Sequence, residues 1–237
     1  AVFNSLAFPH TDLVELPLDG KTAQQPVKVV DVESNREAPS QVVEIGGQKK
    51  LRFPALAVPA VGYKSFRIER GVASSSAPAV KADAQARTLE NQFYRLTLTA
   101  DGSVASLLDK ELKLEIFETA GLYRGNQFIF KDDDWRDHSP ASATITVENQ
   151  GAVSATLKVV SPPLGIFPRL TRRYSLHDGL KRLDIQNNFT KEPGKTDSAE
   201  TVFYAFPFAV AGGAFRIDIP GVVAQYPEEF RQETEWT

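Results

Sequence analysis

The sequence has no cysteine, no methionine and only three histidines in 237 residues. Without cysteine there is no disulfide, no thiol nucleophile and no thiolate-held zinc. A histidine triad or metal cage would require His10, His138 and His177 to converge. Positive charge is not in excess either. Lys plus Arg is 27, Asp plus Glu is 30, and the net charge is -3. A nucleic-acid or anionic-membrane partner would need a basic field, so both are excluded as expected partners. No apolar run approaches the roughly 18 residues of a membrane-spanning helix. The opening Ala1-Val2-Phe3-Asn4 lacks the basic start and long apolar run of a signal peptide, and the compartment is not legible. Position 1 is not Met, and the final Glu233-Thr234-Glu235-Trp236-Thr237 has neither a helix stop nor the composition of a tail. We therefore read the chain as a piece excised from a longer protein.

What is present is ordinary for a folded chain: 42% hydrophobic and 24% charged residues, which argues against wholesale disorder. A chain of this length removes about 70% of its unfolded surface from water, as one large all-β domain or two smaller ones. The dominant period is two. Tyr94, Leu96 and Leu98 alternate with Arg95, Thr97 and Thr99; Val153, Ala155, Leu157 and Val159 with Ser154, Thr156 and Lys158. Leu112, Leu114 and Ile116 alternate with Glu111, Lys113 and Glu115; Phe215, Ile217 and Ile219 with Arg216 and Asp218. Each pattern predicts a strand with one face in a core and one in water. Asp101-Gly102, Asn149-Gln150-Gly151 and Asp178-Gly179 supply the turn chemistry between runs. The run from Val202 to Phe208 is apolar on both faces, which predicts a central strand that ends or bulges at Pro207. Helical stripes are missing, apart from a short helix expected within 81–91. We find no repeat of fixed period.

The expected architecture is all-β. Residues 1–71 form a small β-sandwich with strands at 13–18, 27–32, 41–45, 50–53 and 64–68. Residues 72–86, rich in small side chains, form a linker. A larger β domain occupies 87–237.

Few residues suggest chemistry. Asp132-Asp133-Asp134-Trp135-Arg136-Asp137-His138 is the densest polar cluster. Asp132, Asp134 and His138 could ligate a divalent metal, although the glycine and closing glutamate of a calcium loop are missing. The plainer alternative is a solvated acidic loop. Trp135 beside carboxylates is also the equipment for gripping a sugar, the ring stacking on C–H groups and the carboxylates accepting from hydroxyls; a half-buried packing role is the alternative. Ser74-Ser75-Ser76 has no Gly-x-Ser-x-Gly elbow, and the glycines make neither a P-loop nor a dinucleotide fingerprint. Arg169, Arg172, Arg173, Lys181 and Arg182 read as exposed strand residues around a hairpin, with an anion site as the alternative. His177 reads as a surface turn residue, and His10 as structural or solvent-facing.

Several segments in order resemble the β region of glycoside hydrolase family 38 α-mannosidases. They are Leu89-Glu90-Asn91-Gln92-Phe93-Tyr94-Arg95-Leu96 followed by Asp101-Gly102-Ser103-Val104-Ala105-Ser106-Leu107-Leu108-Asp109-Lys110; Gly125-Asn126-Gln127-Phe128-Ile129-Phe130 with Asp134-Trp135; Arg173-Tyr174-Ser175-Leu176 with Lys181-Arg182-Leu183-Asp184; and Tyr204-Ala205-Phe206-Pro207-Phe208 with the Pro220-Gly221 segment. Near the start, Asn4-Ser5-Leu6 and Pro59-Ala60-Val61-Gly62-Tyr63 are similar to that family's flanking strands. Where the family often carries a second tryptophan, this chain has Arg136-Asp137-His138.

The resemblance implies a small β-sandwich followed by the first part of a galactose-mutarotase-like supersandwich, truncated at its C-terminus. It implies that the nucleophile, the acid and a zinc-like divalent metal belong to an N-terminal catalytic domain, so this chain carries no catalytic residue, metal ligand or cofactor of its own. The implied partners are that catalytic domain and a mannoside, contacted through Asn126, Asp134, Trp135 and Tyr204. The alternatives are a stand-alone carbohydrate-binding module and a mutarotase-like epimerase or lyase. The last needs a histidine and a carboxylate facing each other in a groove.

Overall fold

The computed structural model describes residues 1–20, 25–45, 47–74, 78–132, 134–193, 201–219 and 222–226. Ser75 to Ala77 of the expected linker, Asp133, Pro220-Gly221 and the chain from 227 onward lie outside these. Among the described residues there are 22 strands and no helix, as the period-two pattern requires.

The first part contains β1 (Val2–Asn4), β2 (His10–Pro17), β3 (Val27–Asp31), β4 (Arg36–Ala38), β5 (Gln41–Ile45), β6 (Gln48–Val58), β7 (Gly62–Lys64) and β8 (Phe66–Arg70). Sheet β2-β6-β5 stacks on sheet β4-β3-β8. Between them Val27, Val29, Leu51 and Phe53 are buried, with Val14, Ala38 and Phe66 packed against them. Two of the expected strands differ. The one at 50–53 extends over all of β6. The one at 64–68 breaks at Ser65, where the chain passes from pairing with β1 to pairing with β3.

The second part contains β9 (Lys81–Asp83), β10 (Thr88–Glu90), β11 (Tyr94–Leu98), β12 (Val104–Asp109), β13 (Leu114–Glu115), β14 (Gln127–Lys131), β15 (Asp137–His138), β16 (Thr144–Gln150), β17 (Ser154–Ser161), β18 (Arg169–His177), β19 (Leu183–Thr190), β20 (Thr201–Ala205), β21 (Phe215–Ile219) and β22 (Val222–Tyr226). Sheet β13-β12-β11-β10-β9 faces sheet β16-β17-β18-β19. Leu89, Leu96, Leu98, Leu157, Val159, Tyr174 and Leu176 fill the space between them. The helix expected within 81–91 is instead the β9–β10 hairpin, whose turn sets Arg87 at φ +57°. Val80, at 0% exposure, anchors this hairpin in the large core, so part of the stretch read as linker belongs to that core.

The strand expected at 111–116 shrinks to β13. The Asp109 carboxylate accepts from the backbone N–H of Glu111 and of Leu112, both at 3.0 Å, and this bonding makes a turn of what alternation reads as a strand. Leu112 and Leu114 are consequently exposed.

Strand β20 also departs from expectation. It pairs only with β14 and is an edge strand among the described residues, with Phe203 exposed. It stops at Ala205, two residues before Pro207, which has no N–H to continue a ladder.

One face of β18 carries Leu170, Arg172, Tyr174 and Leu176 in succession, and all four are buried. Leu170 packs with Phe128 and Phe167 under the β15-β14-β20 sheet, while Tyr174 and Leu176 belong to the larger core. Arg172, expected to be exposed, lies between the two clusters at 2% exposure. Its guanidinium donates to the carbonyls of Asp101 and Asn126 and to Ser103 Oγ. A buried guanidinium requires such a set of acceptors, and here it ties β18 to the β11–β12 turn and to the start of β14.

Candidate functional site

The hairpin of β14 and β15 carries the polar cluster singled out from the sequence. Phe130 pairs with His138 and Lys131 with Asp137. The connecting loop is organised by Asp132. Its Oδ1 accepts from the backbone N–H of Asp134 and of Arg136 at 3.0 Å, and its Oδ2 lies 2.7 Å from His138 Nε2. The bond from His138, then that from the Arg136 N–H, hold the Asp132 carboxyl below the usual range. Asp137 accepts from Lys131 Nζ and, at 2.7 Å, from Tyr123 Oη. These bonds lower the Asp137 carboxyl and raise both Lys131 and the Tyr123 phenol.

Trp135 sits at φ +58° and is 66% exposed, with Lys131 Nζ 5.9 Å from its ring centroid. Asp134 is equally open and 3.6 Å from Arg136. The loop thus presents an indole and a carboxylate to the outside, on a base fixed by Asp132 and Asp137. The packing role weighed for Trp135 is not what the structure shows. Asp132 and His138 bond each other, and among the described residues no group of three or more His, Asp or Glu could hold a metal ion.

The other two expected sugar contacts lie elsewhere. Asn126, at φ +52° and 0% exposure, heads β14 at the end opposite the loop. Its side-chain amide donates to Tyr174 Oη and Asn187 Oδ1 at 3.0 Å and accepts from Asn187 Nδ2 at 2.7 Å. With donor and acceptor both used inside the protein, Asn126 positions β14 rather than presenting a contact. Tyr204 packs edge-on against Phe128 with ring centroids 5.5 Å apart. Burial pushes its phenol up to about 12. From Gln127 to Lys131 the strand rises about 3.3 Å per residue, so the four residues do not form one site: Asp134 and Trp135 stand together, and Asn126 and Tyr204 belong to the packed end.

Sequence reasoning missed the most enclosed titratable group. His177, expected at the surface beside a turn, is 1% exposed, and its Nε2 lies 2.8 Å from Asp184 Oδ2. It is buried because the small sandwich covers that end of β18. Burial alone would raise the Asp184 carboxyl, but the bond from His177 and the Arg182 guanidinium hold it below its usual value. Of the other basic residues singled out from the sequence, Arg173 pairs with Glu148 at 2.7 Å, Lys181 with Glu111 at 2.7 Å and Arg182 with Asp12 at 3.0 Å, while Arg169 stands exposed at the start of β18.

By its architecture the chain is a two-part β protein, a small sandwich joined to a larger one. That architecture is found in solved glycoside hydrolases. An α-mannosidase from Enterococcus faecalis V583 superposes with a TM-score of 0.64 at 14% identity, over 96% of this chain and 33% of that one. A glycosyl hydrolase family 38 protein from Enterococcus faecalis superposes with a TM-score of 0.56 at 14% identity, over 86% of this chain and 32% of that one. This chain therefore spans about a third of the length of each structure, and the likeness is one of fold. No family model matches the sequence, and no curated protein matches it either.

Proposed function

We propose that this chain is the accessory β portion of an α-mannosidase-like retaining glycoside hydrolase, non-catalytic alone, which supports a catalytic domain and completes its cleft. The observation that carries this reading is the likeness in fold to an α-mannosidase over 96% of this chain and a third of the other. In this role the Asp134–Trp135 loop faces the cleft, the indole stacking on a sugar ring and the carboxylate accepting from hydroxyls. The metal and the acid and nucleophile carboxylates belong to the catalytic partner, and no chemical step is assigned to residues of this chain. Sequencing the coding region upstream of Ala1 tests the proposal. An α/β segment with Asp and His metal ligands is expected there; a stop codon or an unrelated domain would overturn it. The chain alone is expected not to hydrolyse an aryl α-mannoside, with or without added zinc or cobalt. A second reading, a stand-alone carbohydrate-binding module, draws on the exposed Trp135. Saturable mannoside binding that disappears in Trp135→Ala of the isolated chain would favour it.

A further inference from the structure

Strand β6 meets the larger part at Arg52, which donates to Ser154 Oγ at 2.7 Å across the seam between the sandwiches. Its last residue, Val58, holds the β1–β7 ribbon. The side-chain amide of buried Asn4 donates to the carbonyls of Phe8, Val58 and Pro59, and its Oδ1 accepts from the Leu6 N–H. The Val61 N–H in turn donates to the Leu6 carbonyl at 2.9 Å. The ribbon and its loops are thus fixed by backbone groups and one amide, which leaves their large side chains free to face outward.

They do face outward. Phe3 is 77% exposed and Val61 78%, and Leu6, Phe8 and Tyr63 are open as well. Phe3 and Tyr63 pair across the ribbon with ring centroids 5.5 Å apart. Together with Val61 they line a shallow hollow of about 340 Å³. Val61 holds φ +45°, a region that a β-branched residue rarely adopts. Residues 1–9 and 53–63, which build this surface, contain no charged side chain, in a chain that is 24% charged. The core of a protein interface has this composition, aromatic and depleted of charge. Contiguous exposed apolar surface of this kind marks an interaction site. A charged or strongly polar partner would leave its own groups unpaired against it, so the partner surface must be apolar.

We propose that the β1–β7 ribbon is the docking surface for the catalytic domain of the hydrolase, which seats an apolar, uncharged face on Phe3, Leu6, Phe8, Val61 and Tyr63. The inference rests on the reading above, in which that domain precedes Ala1. Strand β1 starts at Val2, so a domain joined at Ala1 is tethered on this very surface, and a short tether keeps it there at an effective concentration on the order of millimolar. The matched region is 33% of the α-mannosidase that this chain resembles in fold, so most of that protein lies outside the match. The paired rings of Phe3 and Tyr63 form the centre of the contact, because aromatic anchors carry most of the binding energy of an interface.

Hydrogen–deuterium exchange, compared between this chain and the complete gene product, tests the docking. The amides of Val2–Asn4 and Gly62–Lys64 are expected to exchange about tenfold or more slowly in the complete protein. Val61→Asp suits the left-handed backbone better than valine does and sets a charge in the middle of the surface. It is expected to leave the thermal midpoint of this chain at or above its starting value and to abolish the protection in the complete protein. Equal exchange in the two proteins would overturn the proposal, as would protection that survives Val61→Asp. Protection that appears in this chain alone as its concentration rises would make a second copy the occupant and overturn it too. A complete protein that hydrolyses an aryl α-mannoside while the ribbon stays unprotected sinks the docking alone. A ribbon protected by an upstream domain without that activity supports the docking and sinks the hydrolase reading, and the absence of any upstream domain overturns both.

Discussion

The two faces of the β16-β17-β18-β19 sheet are built from alternate residues of the same strands, yet they are buried in opposite ways. On the inner face Ala155, Leu157, Tyr174 and Leu176 are fully enclosed against the facing sheet. On the outer face Ser154, Thr156 and His177 are just as enclosed, under the small sandwich. The inner contact is apolar except at its edge, where Arg172 and the Tyr174 hydroxyl bond the β11–β12 turn. The outer contact is polar, bonded through Arg52 and Gln41, and leaves a cavity. Alternation of apolar and polar residues thus does not assign one face to water. It distinguishes a dry interface from a hydrogen-bonded one.

The largest expected difference between the faces comes from truncation on adjacent residues. Leu157→Ala should destabilise the chain by about 3–5 kcal/mol through lost burial and a cavity, and Thr156→Ala by about 1 kcal/mol, the scale of a single hydrogen bond. Chemical denaturation of both variants measures this, and equal losses would break the distinction. Arg172→Leu comes next, at about 2–4 kcal/mol, because it leaves the buried carbonyl of Asn126 and the Ser103 hydroxyl without their donor. Calorimetry should show the transition lowered but single, since that residue lies inside the large part.

Arg52→Met acts on the seam instead. Its expected mark is about 2 kcal/mol and the splitting of one thermal transition into two, because it removes one of the bonds that join the sandwiches while keeping an apolar stem. One undivided transition would show that the seam couples through other contacts.

A smaller effect is expected from acid. The Asp184 carboxyl is depressed in the folded chain from its ordinary 3.8. Its contribution to stability is therefore present above about pH 4 and is lost as pH falls through the lower folded value. Asp184→Asn should flatten the stability profile below pH 4 and leave its shape near neutrality unchanged, a comparison that acid denaturation midpoints provide. The smallest effect belongs to Trp135→Ala, at most about 1 kcal/mol, because the ring is exposed and touches chiefly Lys131. A loss of several kcal/mol would return Trp135 to a packing role.

Much of the fold was legible in the sequence. The strands of the 94–98, 153–159 and 215–219 regions follow from alternation, and Asp101-Gly102 and Asn149-Gln150-Gly151 supply turn chemistry beside the first two, because both are properties of residues two to four apart. Turn chemistry of the same range misled where a carboxylate bonded nearby N–H groups, as at Asp109. The site was legible only in part. Asp134 and Trp135 stand together on a loop because they are neighbours in sequence, whereas Asn126 and Tyr204 carried no signal that distinguished a packing residue from a binding one.

Sequence alone determined the class, all-β without cysteine chemistry, since composition and periodicity are read without knowing any long-range contact. Tertiary structure decided which polar residues are enclosed. Arg52 meets Ser154 across 102 positions, and Asn126 meets Asn187 across 61. Whether a guanidinium, an amide or an imidazole is buried depends on acceptors and donors brought from that far away, and the burial of His177 and Arg172 was fixed only when the sheets closed over them.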